Sequence, residues 1–280
     1  MIGAVMLFSL MDSALKLLSA HYPPLQVAAL RGMSSLPLIC AYVVWRKATP
    51  SLFKVRWSLQ LARASVGIAT LAMFSYGLQT LSLANTYAIF FVAPLMITAL
   101  SVPMLGERVD ASRWWAIGIG FCGVLVVLRP SGAGMFSPAG LGILAGATGY
   151  ALSAIWVRML GRTDSSESMV FWWIFPLAVG AGLLAWPHWV AIRAEDWLVI
   201  AGLGLAGFFG QLLVTLAFKH GEASSIAPFE YTALAWGVAL DWSLWHTLPD
   251  RTTLIGAAVI IVSGIYLVHR QTSVLEAEHP

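Results

Sequence analysis

The stretch Asn85–Leu128, NTYAIFFVAPLMITALSVPMLGERVDASRWWAIGIGFCGVLVVL, decides the fold. It contains two apolar runs, each near the ~20 residues that a helix needs to cross a bilayer. The polar turn Gly106-Glu107-Arg108 separates them. The layout returns as Ser224–Val268, SSIAPFEYTALAWGVALDWSLWHTLPDRTTLIGAAVIIVSGIYLV. Each copy has a proline early in its first run (Pro94, Pro228), a short turn, and a last run with spaced glycines (Gly118, Gly120 and Gly123; Gly256 and Gly264). Placing Ala116 on Gly256 offsets the copies by 140 residues in a chain of 280. One unit is made twice.

The chain is 59% hydrophobic and 10% charged, against about 25% charged in soluble domains. That excludes a soluble enzyme and predicts an all-α membrane protein. The net charge of +3 gives no reason to expect nucleic acid, because the basic residues sit mostly between apolar runs. Cys40 and Cys122 both lie within such runs, so no disulfide is expected. The 13 tryptophans suit interfacial belts. His21-Tyr22-Pro23-Pro24 follows the first run where a cleaved leader would carry small residues.

Ten transmembrane helices are expected near 1–19, 25–45, 61–81, 85–105, 113–128, 138–160, 167–187, 196–218, 223–246 and 252–269. Continuous runs such as Val259-Ile260-Ile261-Val262 favour helices over barrel strands, which alternate apolar and polar residues. One set of alternate loops holds eleven basic residues (Arg46, Lys47, Lys54, Arg56, Arg63, Arg108, Arg113, Arg158, Arg162, Lys219, Arg270). The other set holds three (Arg129, Arg193, Arg251). The richer set is placed in the cytoplasm, and both termini with it. Five helices per half is an odd number, so the second half starts on the opposite side. Two inverted five-helix repeats follow, 1–130 and 137–270, with a tail at 271–280. Inverted repeats put a solute site near the midplane and permit alternating access.

Pro94, Leu105-Gly106-Glu107-Arg108 and the glycine-spaced helix after them resemble the first EamA repeat of the drug/metabolite transporter superfamily. Ala227-Pro228-Phe229-Glu230-Tyr231, Leu248-Pro249-Asp250 and Leu254-Ile255-Gly256 resemble the second. The resemblance covers nearly the whole chain. It implies ten helices with cytoplasmic termini and a carrier of small metabolites, often an exporter of amino acids. His246-Thr247 stands where the family often has Gly-Glu, so a glutamate brace is missing from the second turn.

Five ionisable residues fall inside the expected helices: Asp12, Lys16, Arg31, Glu230 and Asp241. Each must face protein or water and find a partner. Asp12 and Lys16 are four apart on one helix, and Arg31 lies on the next helix of the hairpin. These three and Asp241 read as a structural ion-pair cluster, or as a patch that grips a zwitterion or gates the outer side; Lys16 can also snorkel to the interface. Glu230 stands apart, two residues after Pro228, which frees a backbone carbonyl one turn earlier. It is read as a coupling or solute-contacting carboxyl, against the alternative of a structural hydrogen bond. Solute contacts are also expected from Tyr76, Gln79, Phe90, Phe91, Tyr150, Trp156, Gln211 and Tyr231, since a cavity with a few polar groups among aromatics suits an amphipathic small molecule. Pro94 and Pro228 are candidate hinges with Arg31 and Asp241. Gly142 and Gly146 form a G-x-x-x-G, and Gly202, Ala206 and Gly210 a second small-residue stripe for helix packing.

No Walker loop, HExxH or GxSxG is present, and the histidines lie at or beyond helix ends. No cofactor or metal is expected. The partners expected are membrane lipids and a small-molecule solute, with the protein a monomer or a homodimer. The sequence points to a carrier of a bacterial inner membrane that exports amino acids or related metabolites. The alternatives are uptake of a larger metabolite such as a nucleoside derivative or vitamin, and an intramembrane enzyme.

Overall fold

The computed structural model describes residues 1–80, 89–128 and 137–245, with Arg251, Ile255, Ala258, Val259 and Val262. All secondary structure among them is helical: α1 (Ile2–Ser19), α2 (Pro24–Trp45), α3 (Trp57–Thr80), α4 (Ala93–Leu105), α5 (Ala111–Leu128), α6 (Pro138–Leu160), α7 (Ser166–Ala185), α8 (Trp197–His220) and α9 (Ala233–Trp245). Without water, every backbone N–H must bond within its own segment, and a helix achieves this. The spans at α1, α2, α6, α7 and α8 are long and apolar enough to cross a membrane. α3 is long enough but carries Gln60, Arg63 and Gln79. The tenth expected helix, 252–269, lies largely outside the described residues, as does the start of the fourth at 85–88.

The fourth and ninth expected helices are not single rods. A turn at Phe91-Val92 precedes α4, which starts with Pro94 in its first turn. A four-residue helical turn, Ala223–Ile226, and a 3-10 segment, Ala227–Thr232, precede α9, with Pro228 at the head of the 3-10 segment. Proline lacks the N–H and its ring crowds the preceding turn, so regular helix is re-entered only beyond it. One assignment of the sequence is corrected. Arg63 is not a loop residue, because α3 begins at Trp57, and the guanidinium is buried within the bundle.

The most extensive interfaces are α2–α7, α3–α6 and α1–α8. Exchanging the two halves turns α3–α6 into α8–α1 and returns α2–α7 to itself. The helix ends pair in opposite senses. At one end, the Tyr22 hydroxyl donates to Asp196 Oδ2 (2.6 Å), and Gln26 exchanges two hydrogen bonds with the Val190 backbone. That brings the start of α2 to the end of α7. At the other end, Gln60 Nε2 donates to Asp164 Oδ2 (2.9 Å), the Ser51 and Ser165 hydroxyls bond, and Trp172 Nε1 donates to the Leu52 carbonyl (2.8 Å). There the start of α3 meets the end of α6. Large apolar side chains face outward, among them Trp45, Leu183 and Leu198. Such a surface suits hydrocarbon rather than water.

The close helix contacts run through glycines, though not all those the sequence suggests. A Cβ on Gly32 of α2 would strike the Ala178 and Leu177 backbone of α7. On α8 the contact stripe is Gly204, Gly207 and Gly210, against Ser34, Ser35 and Phe8, whereas Gly202 faces open space. On α6, Gly149 meets Thr70 and Gly142 faces nothing. Lipid supplies little hydrophobic force between helices, so this backbone proximity carries the association. Gly32→Ala is therefore expected to lower stability by about 1–3 kcal/mol or more, since backbone must shift to admit the methyl. Gly142→Ala should be neutral or mildly stabilising, by up to about 1 kcal/mol. Thermal unfolding of both variants in one detergent checks this; equal melting temperatures would contradict the packing argument.

Candidate functional site

A cavity of about 170 Å³ lies inside the bundle, lined by α1, α2, α3, α6, α7 and α8, the Ile89–Phe91 segment and the break before α9. Its wall is mostly apolar, with Val5, Phe8, Leu71, Phe74 and Val214 among the contributors. Into that wall are set Asp12, Arg31 and Arg63 from the first half and Tyr150, Gln211 and Glu230 from the second. The volume is many times the ~10–15 Å³ that one water requires.

The break before α9 positions Glu230. The Tyr150 hydroxyl on α6 donates to Glu230 Oε1 at 2.9 Å; Glu230 is buried and Tyr150 half-buried. Phe90 packs on the Tyr150 ring with centroids 5.7 Å apart. Arg31 is buried, lies over the Phe8 ring at 5.8 Å, and feels the charge of Asp12 one helix away. Gln211 Nε2 donates to Thr215 Oγ1 on its own helix (3.3 Å). Arg63 is 2% exposed. Its Nε donates to Ser153 Oγ (3.2 Å), its Nη1 donates to the Met169 carbonyl (2.9 Å), and its guanidinium lies 4.7 Å from the centre of the Trp173 ring.

Of the residues singled out in the sequence, Asp12, Arg31, Phe90, Phe91, Tyr150, Gln211 and Glu230 line this one cavity. Tyr231 lies behind it, buried against Phe91. Trp156 is half-buried and off the cavity. Lys16 and Tyr76 face outward, Lys16 near the end of α1 where its ammonium can snorkel. Pro94 and Pro228 sit at the two helix breaks. The side chains of Gln79 and Asp241 lie outside the described residues. Sequence reasoning missed Arg63, Trp173, Gly67 and Thr70. The available signal was Trp57: an interfacial tryptophan there starts the helix one turn early and carries Arg63 inside.

Bonds between the halves close the bundle near the Gly106-Glu107-Arg108 turn. Glu107 accepts from the Ala223 amide (2.8 Å) and the Ser224 amide (3.0 Å), capping the helical turn that leads to the α9 break. Burial pushes the Glu107 carboxyl up, but hydrogen bonds from Ser224, from the Ala223 amide and from Ser101 outweigh it and hold the group below its ordinary value. Nearby, Asp164 ties α3 to α6, and Lys219 Nζ reaches the Asp164 carbonyl (3.1 Å).

These features define a polytopic helical membrane protein with an internal, mostly apolar cavity holding a few ionisable groups. The chain belongs to the EamA-like transporter family, whose model matches residues 1–129 and again 137–270. It is thus a drug/metabolite-type transporter made of two EamA repeats. It is 24% identical over 261 residues to the pseudopaline exporter of Pseudomonas aeruginosa, covering 93% of this chain and 91% of that protein. It is 23% identical to the S-adenosylmethionine uptake transporter of Rickettsia prowazekii (97% and 92% covered) and 25% identical to the riboflavin transporter of Vibrio cholerae (97% and 92% covered). A crystal structure of another protein superposes with a TM-score of 0.82 at 18% identity, covering 98% of this chain and 97% of that one, and establishes the shared fold. Family and relatives point to transport of small metabolites rather than to an enzyme.

A depressed carboxyl contributes stability that is complete above the unfolded-chain value of about 4.3 and is lost as pH falls through the lower folded value. Glu107→Gln should therefore cost about 1 kcal/mol at neutral pH, discounted for partial solvent screening. The gap between wild type and variant should close as the pH is lowered below about 4.3. Melting curves of both proteins over a pH series test this; a gap that does not vary with pH would remove the carboxylate from the account.

Proposed function

We propose that the protein is a secondary carrier that exports amino acids or related amphipathic metabolites across a bacterial inner membrane by alternating access. Its frame is ten helices in two inverted five-helix repeats, 1–130 and 137–270, followed by a cytoplasmic tail at 271–280. The observation that carries this reading is the cavity between the halves, to which each half contributes ionisable side chains. Asp12 and Arg31 offer both signs to a zwitterion, and Glu230 with Tyr150 offers a proton-exchanging or ammonium-accepting group. The pairing of α2 with α7, α3 with α6 and α1 with α8 in opposite senses supports the inversion. The helix breaks at Pro94 and Pro228 are the matched interruptions at which such carriers build their sites. Uptake of a larger metabolite is the second reading, favoured by the uptake and riboflavin transporters among the relatives.

Saturable flux of amino acids through purified protein in proteoliposomes tests the carrier reading, and the direction of the driving gradient separates export from uptake. Glu230→Gln keeps the side-chain shape and removes the charge. It is expected to fold and insert normally, with transport lost or its pH dependence flattened. A wild-type rate with the wild-type pH profile would leave Glu230 a structural role only. For orientation, reporter fusions after Arg46, Arg162 and Arg270 should report cytoplasm and one after Gly134 the opposite side. A cytoplasmic signal at Gly134 would overturn the inversion.

A further inference from the structure

Arg31 and Arg63 are both buried cations on the cavity wall, but their surroundings differ. Arg31 has Asp12 within electrostatic reach. Among the described residues the partners of Arg63 are neutral: a hydroxyl, a carbonyl and an indole ring. Among the described residues no carboxylate forms an ion pair with it. Its hydrogen bonds use Nε and Nη1, which leaves Nη2 without a partner among the described residues. A buried guanidinium is costly in a membrane unless an anion is nearby. It is also the cation best shaped for a carboxylate, through two parallel N–H donors.

Nor is the guanidinium free to swing away. Ser153 and Met169 hold it from α6 and α7, and Trp173 supports its face. The Trp173 ring lies so close to Gly67, one turn along α3, that a Cβ there would come within 2.5–2.6 Å of it. Gly67 thus makes room for Trp173, and Trp173 fixes the plane of Arg63. A fixed cation that faces a cavity and has no carboxylate partner among the described residues is arranged to receive an anion.

Resting on the carrier reading above, we propose that Arg63 is the anion anchor of the cavity and that the transported solutes carry a carboxylate. In an amino acid bound this way, the carboxylate turns toward Arg63 on α3 and the ammonium toward the Glu230–Tyr150 pair. Specificity then resides in the distance between the two charges and in the apolar wall between them.

The test uses the full chain in proteoliposomes, with phenylalanine, tryptophan and methionine as probes beside their carboxamides, which keep shape and ammonium but lose the anion. The wild type should move the acids with saturation and prefer them to the amides by about ten- to a hundredfold, the range of a charge-assisted hydrogen bond. Arg63→Gln should abolish that preference chiefly by losing acid flux, with amide flux changed less than about twofold. Arg63→Lys keeps the charge without the fork, and should keep part of the preference and lower the affinity. The wild-type comparison needs no variant, so a misfolded Arg63→Gln leaves the proposal testable. Acids and amides moved equally well by the wild type, or both reduced equally by an Arg63→Gln protein that keeps the wild-type melting temperature, would overturn the anchor and leave the carrier reading standing. Absence of saturable flux for every probe would overturn the amino-acid carrier reading and the anchor with it.

Discussion

Charge inside an apolar bundle is the constraint on which the cavity depends. Asp12, Arg31, Arg63 and Glu230 all line it. None can be left bare toward hydrocarbon, where each would cost several kcal/mol. Glu230 is met by Tyr150, Arg31 by Asp12 and the Phe8 face, and Arg63 by Ser153, Met169 and Trp173. Away from the cavity the helices close to backbone contact at Gly32 and Gly204, and Gly149 packs on the Thr70 and Val66 side chains. Both arrangements follow from the same fact: lipid rewards close packing and penalises an unmet polar group.

Much of this was legible in the sequence for a plain reason. Apolar runs near twenty residues long have one way of satisfying their backbone in a membrane, so helix positions follow from composition. The two proline breaks were legible too, because proline removes a donor wherever it falls. Helix faces were not. In a helix that is apolar all round, periodicity does not distinguish the face toward a neighbour from the face toward lipid. The α8 stripe shows this. Gly202, Ala206 and Gly210 read as a packing row; Ala206 and Gly210 are buried, but Gly202 faces open space, and Gly204 and Gly207 make the close contacts to α2. Tyr76 was expected inside for its chemistry and faces outward, and of the two readings of Lys16 its exposure fits the snorkelling one.

Arg63 shows a different limit. A basic residue near a helix end is read as part of a loop, and moving the start of α3 from 61 to Trp57 reverses that reading. The error also touches the orientation argument. With Arg63 removed, ten basic residues remain in the richer set against three, so the predicted sidedness stands.

Both ends of the bundle are closed by hydrogen bonds to carboxylates, which bears on how a carrier of this kind would move. Near the α1–α2 turn the Tyr22 phenol donates to the Asp196 carboxylate, and Gln26 bonds the Val190 backbone. At the opposite end Glu107 accepts from two backbone amides and Asp164 from Gln60. Between them, α2 and α7 touch backbone to backbone at Gly32 and Ala178 and are not easily parted there. A rocking motion about that contact would break the bonds of one end while keeping those of the other. Each such bond is worth about 1 kcal/mol net, somewhat more where a carboxylate accepts. The difference between the two closures is then a few kcal/mol at most, within the range over which a bound solute shifts an equilibrium between two states. Solute charge enters the same balance, because the cavity groups belong to both halves. A zwitterion bridging Arg63 on α3 and Glu230 before α9 would tie the first half to the second at mid-depth. It would thereby favour whichever arrangement brings those two residues to the solute's own charge separation.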